Sequence, residues 1–156
     1  MLETIRNGTP VEIWQGLVQD AYAATGVRLD ESSESYLVFV LLRYQNDHQL
    51  LTHAQGMDWL LALDQMGTAR ADALRDVGDR CLLVAGLFPG LAERRRVSVD
   101  YFIAIGRSAY QGVADATRQA YATLYAELAH HYGELVDTLS AVRGLSRAPI
   151  LIRPMR

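Results

Sequence analysis

The sequence predicts an all-α fold, a single-domain bundle of about six helices with an extended C-terminal tail. Three observations predict it. Apolar residues recur at steps of three and four along most of the chain, the spacing that gathers them on one helix face. Residues that cap helices precede these runs, and Gly or Pro follows them. Half of the 156 residues are hydrophobic, enough for one domain's core without a metal or disulfide staple.

The first helix starts at Thr9-Pro10. Thr caps a helix, and Pro suits the first helical position because the N–H it lacks would be unpaired there. Val11, Trp14, Leu17, Val18 and Tyr22 follow, with Ile13 beside them, and Gly26 ends the run. The second helix spans about Glu31 to Asn46, with Asp30 as its cap and Glu31 and Glu34 at its positive end. Its middle, YLVFVLL, is β-branched enough for a strand, but no turn signals bound so short a strand, which favours helix. The third covers roughly Leu50 to Met66 and carries Ala54, Met57, Trp59, Leu60 and Leu61; Gly67 closes it and Thr68 is the next cap.

The fourth helix holds the most informative stretch, RDVGDRCLLVAGLFPG. Leu74, Val77, Cys81, Val84, Ala85 and Phe88 share one face, and Asp72, Arg75, Asp76, Asp79 and Arg80 the other. The first turns are therefore amphipathic. The segment CLLVAGLF is apolar all round, as in a helix end enveloped by protein at the centre of the bundle. Gly78 and Gly86 each cost about 1 kcal/mol of helix stability relative to Ala, which a close helix crossing would offset. Pro89-Gly90 ends this helix, and LAERRR connects it to the fifth. Ser98 caps the fifth, Asp100 lies in its first turn, and Phe102, Gly106, Ala109, Tyr110 and Val113 form its stripe, extended by Val99. The sixth begins near Thr117, or continues from the fifth through Asp115. Its seam of Tyr125, Leu128, Tyr132, Leu135, Leu139 and Val142 is heptad-like over nearly three repeats, up to Gly144. Residues 1–144 thus form the bundle and 145–156 a basic tail, whose segment APILIRP is suited to extend along a partner or a neighbouring subunit.

VGD (Val77 to Asp79), GLFP (Gly86 to Pro89), VSVDYF (Val97 to Phe102) and GRSAY (Gly106 to Tyr110) together resemble a family of uncharacterised bacterial helical proteins, over about a quarter of the chain. No activity is established for that family. The resemblance implies a compact bacterial helical protein of about this length and carries over no catalytic residue.

Composition excludes several classes. A net charge of −3 and a pI near 5.8 oppose general nucleic-acid binding, which needs clustered positive charge. A helix-turn-helix reading meets the same objection, because every helix with arginines also carries acids. One cysteine, Cys81, permits no intrachain disulfide and points to a reducing compartment. The N-terminus lacks a signal-peptide pattern and no apolar run approaches the ~20 residues of a membrane span, so a cytoplasmic protein is expected.

The polar residues most open to a functional reading are Asp79, Arg80, Asp100, Tyr101, Arg107 and Tyr110, beside apolar surface on two helices that can pack together. A fully hydrogen-bonded structural network is the plainer reading and a ligand site the other, since buried polar groups need partners and perturbed ones mark sites. Arg94, Arg95 and Arg96 are candidates for an anion or partner contact at the helix capped by Ser98, against the plainer reading of a solvated loop. The tail arginines Arg143, Arg147, Arg153 and Arg156 read as a solubilising stretch or as a dock for an acidic partner. Glu127 and His130 make one Glu-x-x-His pair; a di-iron bundle needs a second such pair on another helix and two further inward carboxylates, and no second copy occurs. Glu127 with His131, and His130 with Glu134, read as surface i, i+4 pairs. His48 and His53 match no zinc spacing and read as loop histidines. Cys81, on the apolar stripe, reads as an inert buried thiol.

No cofactor is expected. The favoured function is a non-enzymatic protein-interaction or regulatory module, self-associating through its tyrosine-bearing seam and basic tail, with itself (as a homodimer) or another protein as partner. The alternative is an enzyme or small-ligand binder with an interhelical pocket, lined by Tyr101, Tyr110 and the neighbouring acids or, in a metal-dependent version, built on Glu127.

Overall fold

A computed structural model describes residues 8–45, 55–94 and 96–146. Among these the chain is helical, with eight helices and no strand. They are α1 (Pro10–Thr25), α2 (Glu31–Tyr44), α3 (Gln55–Leu63), α4 (Gly67–Gly86), α5 (Pro89–Arg94), α6 (Val99–Ala116), α7 (Gln119–His130) and α8 (Tyr132–Ser146).

The helix starts follow from local chemistry. Thr9 Oγ1 accepts the Glu12 N–H while Glu12 reaches back to the Thr9 N–H, a reciprocal pair that satisfies two otherwise orphaned donors. Asp30 caps α2 through the Ser33 N–H, and Ser98 caps α6 through the Tyr101 N–H. Gly26 closes α1 with φ 73°, a left-handed conformation that glycine adopts without a steric cost.

Two differences from the sequence reading raise the count from six helices to eight, and two more move helix ends. The LAERRR connection is partly helical: Pro89 opens α5 instead of only ending α4, because proline's fixed φ suits a first helical turn. The expected sixth helix breaks at His131 (φ −102°, ψ 23°) into α7 and α8. The seam nevertheless stays buried on both sides of the break, so its spacing does not reveal the bend. Thr68 does not cap α4; that helix starts at Gly67 behind Met66, with no side-chain cap. Gly144 likewise does not end α8, which runs on to Ser146. Residues 147–156, most of the expected tail, lie outside the described residues, as do His48, His53 and Arg95.

Helix α4 is the hub. It packs most extensively on α6, and also on α3, α5 and α8, while α1 joins α2 to α8 and α6 backs onto α7. Cys81, Leu82, Leu83, Val84, Ala85 and Leu87 are all buried, so the second half of α4 is enclosed as its all-round apolarity predicts. The glycines mark the close crossings. A Cβ on Gly78 would overlap the Tyr110 ring, and one on Gly86 would approach Leu139 Cβ at 2.5 Å. The propensity lost at these glycines is the condition for helices to approach this closely.

Helix α3 turns a different face inward from the one expected. Ala62 is buried and Trp59 and Leu63 are half-buried against the core, an i, i+3, i+4 set, whereas Leu60 and Leu61 point outward. No described helix is long and apolar enough to cross a membrane.

Candidate functional site

Five helices meet at one buried carboxylate. Asp79, on α4, has no exposed surface. Tyr36 from α2 and Tyr110 from α6 each donate their hydroxyl to Asp79 Oδ1 at 2.6 Å. Tyr125 from α7 donates to the Tyr36 hydroxyl at 3.1 Å, and Tyr132 from α8 donates to the Gly78 carbonyl at 2.8 Å. The rings of Tyr36, Tyr110, Tyr125 and Tyr132 pack edge to face at centroid distances of 5.3 to 5.9 Å. Such pairs contribute about 0.5–1.5 kcal/mol each beyond their buried area.

The electrostatics follow from burial. Desolvation pushes the Asp79 carboxyl up from 3.8 to about 6, against the opposing pull of the Tyr110 and Tyr36 hydrogen bonds and the more distant charges of Arg43 and Arg75. Burial, reinforced by the Asp79 charge, holds the Tyr36, Tyr110 and Tyr132 phenols far above their ordinary value. Asp79 is thus the member of the network that changes charge in the ordinary pH range. Its Oδ2 is buried with no hydrogen-bond partner among the described residues.

A second, half-exposed cluster borders the first. Asp76 Oδ1 accepts from Arg43 at 3.1 Å, from the Tyr44 hydroxyl at 3.0 Å and from Arg75 at 3.3 Å. Arg75 also reaches Asp72 at 3.7 Å. The guanidinium groups of Arg43 and Arg80 lie 5.1 and 5.7 Å from the Tyr44 ring centre, within cation–π range.

Of the six polar residues singled out by sequence, the structure brings Asp79 and Tyr110 into direct contact and places Arg80 at the neighbouring cluster. Asp100, Tyr101 and Arg107 are exposed on α6 and stand outside the network. The reason is helical phase: Phe102, Gly106, Ala109, Tyr110 and Val113 take the buried face of α6, which turns positions 100, 101 and 107 outward. A pocket lined jointly by Tyr101 and Tyr110 is therefore not formed.

Tyr36, Tyr125 and Tyr132 are members that sequence reasoning missed. Tyr125 and Tyr132 fall on the apolar seam, and Tyr36 opens the apolar run YLVFVLL. The available signal was the hydroxyl, since a tyrosine at a core position must find a hydrogen-bond partner.

Arg94 and Arg96 are exposed around the end of α5, and Arg96 takes a left-handed φ of 58°. Glu127 and His130 are exposed. The observed ion pairs run through His131, to Glu127 at 3.4 Å and to Glu134 at 2.9 Å; His130 instead packs its ring on His131 at 4.6 Å. The expected His130–Glu134 pair gives way to His131–Glu134 because the break at His131 shifts the phase of α8. Among the described residues no group of three metal-ligating side chains converges. Cys81 is buried and its thiol is pushed up by desolvation, with the Asp58 charge adding to it. One small hollow opens between Trp14, Leu41, Tyr44, Gln45, Leu83, Leu87 and Phe88, with Trp14 Nε1 donating to Gln45 at 3.1 Å beside it.

No protein-family model, curated protein or solved structure matches the chain. Within the Val77–Tyr110 block, Gly78 and Asp79 meet Tyr110 at the crossing of α4 and α6.

Proposed function

We propose that the chain is an intracellular, non-enzymatic protein-interaction or regulatory module that pairs with a second copy of itself. The seam is no support for pairing, because Tyr125, Leu128, Tyr132, Leu135, Leu139 and Val142 are all spent on the domain's own core. The observation that carries the reading is on α3. Leu60 and Leu61 are adjacent and each 55% exposed, and Met66, at the start of α4, is 83% exposed. Isolated exposed apolar residues are ordinary, but three within seven positions make a patch of the kind that marks contact surfaces. A patch that meets its own copy across a two-fold axis buries both at once.

Light scattering with sedimentation over a wide concentration range tests this. The wild type is expected to dimerise and a Leu60→Glu, Leu61→Glu variant to remain a folded monomer. A wild type that is strictly monomeric at high concentration removes self-association. The small-ligand reading draws its support from the buried Asp79 Oδ2, which has no hydrogen-bond partner among the described residues, and an amine-bearing compound that protected the fold from heat would favour it.

A further inference from the structure

Two buried polar atoms, one a donor and one an acceptor, belong to residues one helical turn apart on α4. Arg75 Nε and Asp79 Oδ2 are both buried, and neither has a hydrogen-bond partner among the described residues. They belong to residues four apart on one helix, so their side chains share a face. The outer nitrogens of Arg75 are occupied at the surface, on Asp76 and Asp72. Every other element at Asp79 supplies neutral or committed groups. From α2 come Tyr36, already bonded to Oδ1, and Arg43 and Tyr44, both bound to Asp76. From α6, α7 and α8 come Tyr110, Tyr125 and Tyr132. On α4 itself Arg80 lies over Tyr44, and from α3 Asp58 acts on Cys81. Arg75 is the cation one helical turn from the bare oxygen.

We propose that Asp79 and Arg75 form a proton-controlled exchange, in which loss of the Asp79 proton draws the Arg75 guanidinium inward from Asp76 and Asp72 onto Oδ2. A buried carboxylate with one bare oxygen is costly, and a charge-assisted bond from Arg75 relieves that cost. With the proton present, Oδ2 has no need of a cation and Arg75 serves the surface acids. The exchange transmits a buried proton to the outside. When Asp79 is ionised, Asp72 and Asp76 lose a shared cation, and the α4 surface becomes a stronger site for a basic partner. Burial of Asp79 sets the midpoint near pH 6, within reach of physiological acidification.

Nuclear magnetic resonance on the full chain tests this between pH 4.5 and 8. The Arg75 Nε–H signal is expected to move with the same midpoint as the Asp79 carboxyl carbon, and to stay still in Asp79→Asn. Arg75→Gln, at a half-exposed position, is expected to raise the Asp79 midpoint by about one pH unit, a tenfold change in proton affinity. An Arg75 signal that ignores the Asp79 titration, or that still moves in Asp79→Asn, overturns the exchange. So does an Asp79 midpoint unchanged by Arg75→Gln, a result that can be read even if Asp79→Asn does not fold.

Discussion

Asp79 concentrates what single residues do in this protein. Its carboxyl is harder to ionise in the folded chain, at about 6, than at its ordinary 3.8, chiefly because burial withholds water from the charge. A raised acid of this kind gives its full support below about pH 4 and loses it as pH climbs through 6. At 1.36 kcal/mol per unit the loss is about 3 kcal/mol. Urea midpoints measured from pH 4 to 8 should therefore fall for the wild type over that window. In Asp79→Asn the fall should be smaller by about this amount, since the amide still accepts from Tyr36 and Tyr110 but never charges. Equal slopes for both proteins would contradict the account. That Asp79 is a candidate was legible in the sequence, although periodicity puts it on the charged face of α4 and the structure instead buries it completely beneath Tyr36 and Tyr110. Its tyrosines were not, because a tyrosine on an apolar stripe looks the same whether its hydroxyl meets water or a carboxylate 43 positions away, as Tyr36 does.

At the level of elements, the capped starts of α1, α2 and α6 and the enclosed end of α4 were legible, because each depends on neighbours in sequence. The break at His131 and the inward face of α3 were not, because both answer to which helix lies opposite. Leu60 and Leu61 are more apolar than Ala62 yet face outward, because the position of α4 decides which side of α3 faces in. The crossing of α4 and α6 offers the sharpest test. A Cβ on Gly106 would overlap the Tyr132 hydroxyl and press on Cys81 Cβ at 2.9 Å. Gly106→Ala should cost about 1–3 kcal/mol, the usual penalty of overpacking. Gly144 on α8 has nothing within 4 Å of such a Cβ, so Gly144→Ala should leave stability unchanged or raise it by up to ~1 kcal/mol. Thermal melts of both variants decide it; a harmless Gly106→Ala would mean that the helices lie further apart than described.

For the molecule as a whole, α2, α4, α6, α7 and α8 share one hydrogen-bonded centre and one continuous apolar core. Helices tied in this way should unfold together. Far-ultraviolet circular dichroism and the near-ultraviolet tyrosine signal are expected to give coincident denaturation curves; a tyrosine transition that precedes loss of helix would show the centre to be a separate, weaker unit. Fold class was legible at this scale because every described helix but α5 falls within a segment whose periodicity reads as helix. Function was less so, since the one heptad seam that looked like a contact surface is interior, and the outward apolar pair on α3 carries no distinguishing pattern.

The recesses left by Gly78 and Gly106 also constrain how this sequence can drift. Each holds part of a tyrosine contributed by another helix, so the two members of a pair cannot vary independently. In the laboratory Tyr132→Phe should relieve only a small part of the cost of Gly106→Ala, because it removes the hydroxyl oxygen while the ring carbon that bore it and Cys81 Cβ, 2.9 Å away, still crowd the added methyl.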